Sequence, residues 1–206
     1  MNRQSSHQHG TTSSTQAEVK IDRGGHELIN GHEILSSYIN VLDQYLLFKG
    51  SIKEKGLVQI LERQYAFVTV QYNRVVEAYA TAQKPSQEMK PYMMKVSNEI
   101  TYGMKSTQPK KPNQSAAEVN DAGISGYMLA MMKSAASKTT TTALEVANPV
   151  VRRVLVDSVP NFAEMAYELF LYQNQQGYYP VPQLNEQDWT QLLQGYAPSE
   201  TNIQLH

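Results

Sequence analysis

Cysteine is absent from all 206 residues. That excludes disulfides, thiolate zinc sites, iron–sulfur clusters and cysteine nucleophiles together. Histidine is scarce: the five lie at 7, 9, 26, 32 and 206, so the middle of the chain has no imidazole to act as a base. Charge is sparse as well. Lys and Arg number 18 against 19 Asp and Glu, for a net charge of −1. No electrostatic pull toward nucleic acid or an anionic membrane follows from that balance. Repulsion between copies is correspondingly weak. Long apolar runs are missing too: "YMLAMM" (127–132) is far too short to span a bilayer. The first residues, "MNRQSSHQHGTTSSTQ", are polar throughout and do not read as a signal peptide. The expectation is a protein made and kept inside the cell that makes it.

What the chain has instead is tyrosine and glutamine. There are 13 Tyr against 4 Phe and 1 Trp, and 19 Gln against 12 Lys. Tyrosine suits half-buried faces and interfaces, because one end is apolar and the other polar. Amides in place of charges favour hydrogen-bonded contact surfaces. The two types concentrate in "YQNQQGYYPVPQ" (172–183).

Residues 1–25 are rich in Ser, Thr, Gln and His and predict a disordered tail. Four helical stretches follow. In the first, 31–49, Asn30 is the expected N-cap with Glu33 as its capping-box partner. Ile34, Leu35, Tyr38, Val41, Leu42, Tyr45 and Phe48 then share one face. The second spans about 54–83, with Leu57, Leu61, Val68 and Val75 in one stripe. Tyr65, Tyr72 and Tyr79 recur seven apart, a spacing that suits the rim of a core. The connection 84–114 holds four prolines and little periodicity, so it predicts an irregular crossover.

The third helix is expected from the capping-box pattern "SAAE" (115–118) to Ala147, with Ile124, Tyr127, Met128, Met131, Ala135 and Val146 inward. Within it, "SAASKTTTT" is small and β-branched, which lets a neighbour approach but costs helix propensity. "NP" at 148–149 marks the start of the fourth helix, with Asn148 as cap and Pro149 in the first position. Val151, Leu155, Phe162, Ala166 and Leu169 face inward, and Pro160 predicts a kink or break. Gly177 ends the helix near 176. A weak helical piece is expected at 185–196, inside a C-terminal tail of 185–206.

The halves look like copies. Ile34, Leu35 and Tyr38 correspond to Gly123, Ile124 and Tyr127, while Leu57, Leu61 and Tyr79 correspond to Val150, Val154 and Tyr172. The fold class that follows is all-α: an antiparallel four-helix bundle made of two helical hairpins, 26–83 and 115–184, joined by a long crossover. Ferritin-like bundles are built that way.

Such a bundle raises the prospect of a di-metal site, which takes Glu-x-x-His from two of its helices. Glu62, Glu77, Glu145, Glu164 and Glu168 have no histidine three residues on, and their spacing does not converge. "HELINGHE" (26–33) sets its histidines six apart, not the four of the zinc-protease pattern, and "HQH" (7–9) lies in the tail. No G-x-S-x-G turn and no glycine-rich phosphate loop is present. No catalytic, metal or cofactor residue is therefore expected. Arg152 and Arg153 sit in the first turns of the fourth helix, where positive charge opposes the helix dipole. They are expected in structural salt bridges to a neighbouring helix or subunit.

The runs "SGYMLAMMKSAAS", "ALEVANPVVRRVL" and "EMAYELFLYQNQQGYYPVPQL", between about 120 and 184, resemble the Coat F family of spore coat proteins from endospore-forming bacteria. The most distinctive block is 148–184. The connector stretches "YMMK" (92–95), "TYG" (101–103) and "QPKKP" (108–112) look like those of longer members, and 26–83 looks like their partner hairpin. The resemblance implies a ferritin-like, non-enzymatic component of the endospore coat or inner spore layers, with other coat proteins or copies of itself as partners. It supplies no catalytic residues. It gives the tyrosine-rich strip two roles to choose between. Tyr178, Tyr179 and Tyr196 would form assembly contacts or oxidative cross-links, or "GYYPVP" would fold back and close one end of the bundle. The rivals to a structural role are a metal-binding or oxidase ferritin-like protein, and an adaptor that recruits other coat proteins.

Overall fold

The structure is a computed structural model that describes residues 25–105 and 108–199. Residues 1–24 of the expected tail at 1–25, and the last residues, 200–206, lie outside the described residues, and residue 25 belongs to the first helix. The fold is all-α. Helix α1 is Gly25–Lys49, α2 Lys55–Thr81, α3 Asp121–Glu145, α4 Pro149–Val156, α5 Val159–Gln175 and α6 Glu186–Gln194.

Side-chain pairs give the helix directions. Asn30 meets Glu145 and Tyr38 meets Thr139, so α1 and α3 run antiparallel. Arg63 meets Glu168 and Gln71 meets Ser158, so α2 and α5 are also antiparallel. Asp121, at the start of α3, accepts from the backbone N–H groups of Lys53 and Glu54 at the start of α2. The crossover therefore returns the chain along the full length of α2, as the one-crossover bundle requires. One continuous core joins these helices, with Ile34, Tyr38 and Tyr45 from α1, Leu57 and Val68 from α2, Ile124 and Met132 from α3, and Leu155, Phe162 and Leu169 from α4 and α5.

Local signals account for several boundaries. Asn148 accepts from Val150 N and Val151 N, with Pro149 in the first turn. The fourth helix breaks at 157–158 ahead of Pro160, and Ser158 is buried there, donating to Val154 O and accepting from Gln71. Gly177 has φ +74°, and Gly177 N and Tyr178 N bond to Asn174 O and Gln173 O. That pair of bonds is a Schellman ending.

Other boundaries depart from expectation. Asn30 is not a cap, because α1 begins at Gly25 and carries Asn30 inside it, buried. Asn30 donates to Glu145 across the bundle (3.2 Å), Glu33 pairs with Lys138, and Glu27 accepts from Asn148 N. These tertiary partners extend α1 past its local start signal. "SAAE" does close a ring, Ser115 to Glu118 and Glu118 to Gln114 N, but it forms only one 3-10 turn. The cap of α3 is Asn120, which accepts from Gly123 N. Tyr127 is 45% exposed rather than inward. The buried line of α3 runs Ile124, Met128, Met132, Ala135, Thr139, and Tyr127 is one position off it, with its ring against Phe48. The correspondence between halves fails there, since Tyr38 is fully buried. It holds for Tyr79 and Tyr172, which share buried hydroxyls without a partner among the described residues.

Candidate functional site

The second face of α5 is polar, and it holds the crossover. Asn161 accepts from Tyr92 N at 2.7 Å. Glu168 accepts from Lys95 N at 2.7 Å. Gln175 donates to Ser97 O at 2.9 Å. These three positions are seven apart, a rise of about 10.5 Å each on a helix. From Tyr92 to Lys95 three extended residues span about 10 Å, and the Gln175 side chain lies against Ser97 O and, at 3.4 Å, Glu99 O. The crossover therefore runs as a strap beside α5, tied at every second turn. Asn174 adds a two-way bond to Thr101, accepting from its N–H and donating to its carbonyl. From the other side, Arg74 donates to Gln87 O and Arg63 to the Tyr92 hydroxyl. The strap lies in the groove between α2 and α5.

Its central tie is ionic. The Glu168 carboxylate is fully buried. It accepts from Arg63, from the Tyr92 hydroxyl and from Lys95 N. Three donors are what a buried carboxylate needs to offset lost hydration. Burial, then the bond to Glu168, pushes the Tyr92 phenol well above its ordinary value. Burial alone would lower the Arg63 pKa, but Tyr92 and Glu168 outweigh it and raise it. Bundles that bind metal in the core draw carboxylates from facing helices. Here the carboxylate of α5 faces a guanidinium of α2. Among the described residues no three His, Cys, Asp or Glu side chains converge as metal ligands.

At the end of α5 the strap and the tyrosine-rich exit meet. Gly103 N donates to Val181 O at 2.9 Å. Asn174 donates to Tyr179 O and Lys110 Nζ to Tyr178 O. Between them opens a cleft of about 250 Å³, lined by Tyr102, Lys105, Lys110, Gln175, Tyr179 and neighbouring backbone. Tyr178 is half-buried, its ring 6.4 Å from that of Tyr172. Tyr179 is 40% exposed, edge-on to Phe170, with Lys133 Nζ 6.0 Å from its ring centroid. Tyr196 is 79% exposed, beyond the end of α6. The amides of the strip tie down the strap, and of the three candidate tyrosines Tyr179 and Tyr196 are exposed while Tyr178 is half-buried.

Arg153 pairs with Asp157, one turn on in sequence, at 3.7 Å, and both side chains are largely exposed. Arg152 has no ion pair among the described residues. Neither reaches another helix, because both point away from the core-facing line of Val151, Val154 and Leu155. The residues that do bridge elements, Arg63, Asn161, Glu168, Asn174 and Gln175, were not singled out by the sequence reading for that role. A signal existed: polar residues at 161, 168 and 175 keep a period of seven within an otherwise core-forming helix.

This arrangement defines a helical bundle whose crossover is strapped to helix α5, and the chain belongs to the Coat F family. The Coat F domain matches residues 120–182. Over 177 residues the chain is 47% identical to the Spore coat protein F-like protein YhcQ of Bacillus subtilis (strain 168), covering 86% of this chain and 82% of that one. Its fold is similar to the crystal structure of a putative spore coat protein from Bacillus halodurans C-125. The TM-score is 0.56 at 10% identity, over 79% of this chain and 95% of the other.

Proposed function

We propose that this protein is a non-enzymatic structural component of the bacterial endospore coat and works by protein–protein assembly. The observation that carries the reading is the kinship with a spore coat protein F-like protein along most of both chains. The disposition of the polar groups supports it. The buried Glu168 carboxylate and the Asn174 and Gln175 amides of α5 tie the strap, while apolar and tyrosine side chains remain exposed on α6 and the exit strip. A surface of that kind is suited to other proteins rather than to a small substrate. The partners are other coat proteins and copies of this chain, and Tyr179 and Tyr196 are among the exposed tyrosines available for contact or oxidative cross-linking.

The test is made on spores. Coat and core fractions are separated and the protein is quantified in each, while metal content and solution mass are measured on the purified chain. Enrichment as an abundant coat constituent, with no stoichiometric metal, is the expected result. Recovery in the core fraction, or stoichiometric iron or manganese with turnover of an oxidisable substrate, overturns the reading. Trace abundance in the coat, with loss of another coat protein when the gene is deleted, would make the chain an adaptor instead.

A further inference from the structure

Helix α6 is amphipathic and buries none of its residues against the described chain. Every residue of Glu186–Gln194 is exposed. Trp189, Leu192 and Leu193 are each more than half exposed, as are Leu184 before the helix and Tyr196 after it. Nine residues are fewer than an isolated helix needs to persist in water, so this one requires a surface to lie on. Its start is well specified nonetheless. Asn185 accepts from Asp188 N at 2.8 Å and donates to the Asp188 carboxylate. The charge is all of one sign: from Val181 to Ser199 the chain has Glu186 and Asp188 and no Lys or Arg.

The complementary surface is the cleft where strap meets exit. Lys105 and Lys110 line it and Lys133 stands over Tyr179. Among the described residues none of the three has a carboxylate partner. Tyr102 and Tyr179 give the cleft exposed aromatic edges. A second depression, lined by Tyr102, Leu184, Glu186 and Trp189 among others, makes this surface continuous with the beginning of α6. We infer that the chain self-associates, with the acidic amphipathic helix α6 of one copy seated on the lysine- and tyrosine-lined cleft of another. The occupant is a second copy because acids and lysines that have no ion-pair partner among the described residues, each beside exposed apolar groups, are both present on one chain. Such a pair of surfaces closes as a two-fold dimer when the exchange is reciprocal and continues as a chain when it is not. The inference rests on the assembly reading above and names its partner and surfaces.

Charge exchange tests it on the full chain. One variant carries Lys110→Glu and Lys133→Glu; the other carries Glu186→Lys and Asp188→Lys. All four side chains are exposed, and circular dichroism checks that both variants fold. Sedimentation of the wild type should show association that weakens by tenfold or more as salt rises. Each variant alone should be monomeric where the wild type associates. An equimolar mixture should associate again, because each α6 then meets a cleft of opposite sign. Trp189→Ser should weaken association in the wild-type background. A wild type that is monomeric at all concentrations overturns the inference, and so does association that neither variant alters. A mixture that stays monomeric overturns it too. The coat reading stands or falls separately, on where the chain is found in the spore.

Discussion

At the scale of single residues, Glu168 is the most consequential side chain. Removing it leaves the Arg63 guanidinium, the Tyr92 hydroxyl and the Lys95 N–H without their acceptor. Glu168→Ala should cost about 3–5 kcal/mol, the usual loss on breaking one side of a buried pair. Glu168→Gln keeps one acceptor oxygen and the side-chain volume, and should cost less, about 1–3 kcal/mol. Urea unfolding of both variants checks the order; equal and small effects would mean the carboxylate is not holding the strap. Gly31 offers a second test. A methyl group there would stand 2.8 Å from Tyr79 Cε1, whereas at Gly126 it would meet Gln173 Nε2 at an ordinary 3.5 Å. Both lie inside helices, where alanine is favoured over glycine by about 1 kcal/mol. Gly126→Ala should therefore raise the unfolding midpoint. Gly31→Ala should lower it, because overpacking costs about 1–3 kcal/mol.

At the scale of elements, the strap has a distinctive signature. Among its described residues it has no helix or strand, yet several of its backbone groups are bonded to side chains of α5. The amides of Tyr92, Lys95 and Thr101 should exchange with solvent slowly, like those of a regular element. In Asn174→Ala the Thr101 amide should exchange at least tenfold faster while Tyr92 and Lys95 change little. Uniform acceleration along the strap would show one cooperative unit rather than separate ties. The same elements show what was readable in advance. Asn148, Pro149 and Gly177 act on groups within three residues or so, so their types suffice to place them. The apolar faces of α1 and α2 were readable because periodicity states burial directly. Asn30 and the strap ties were not, because each acts on a group about 70 or more residues away. Thr139 is a milder case: a run of threonines reads as a propensity cost, yet Thr139 is buried and bonded to the Tyr38 hydroxyl at 2.8 Å. The exposed tyrosines and the seat of α6 depend on which surface is left over once the strap is down, which no local pattern records.

At the scale of the whole molecule, the use of tyrosine in place of phenylalanine in the core sets an alkaline limit. Tyr38 and Tyr45 are fully buried and Tyr92 nearly so. Burial is the leading cause that holds all three phenols well above the ordinary value of 10.0. Tyr79 is pushed up to about 12, again chiefly by burial. In the unfolded chain these groups release their protons near pH 10. Between that point and their folded values, the folded state holds more protons than the unfolded state, so stability falls as pH rises. Their contribution is fully present below about pH 10. Above it, each buried tyrosine costs about 1.4 kcal/mol per pH unit, or roughly 4 kcal/mol per unit for three. A domain with a total of about 5–15 kcal/mol cannot withstand that for long. Helicity followed by circular dichroism and tyrosinate followed by ultraviolet absorbance should therefore change together, in one steep step a unit or more above pH 10. In Tyr45→Phe one of the three penalties is gone, and the fall in urea-measured stability between about pH 9 and about pH 11 should be shallower, even though the bond to Gln64 is lost. If all tyrosines ionise near pH 10 with the helices intact, the hydroxyls of Tyr38, Tyr45 and Tyr92 are not shielded as their burial requires.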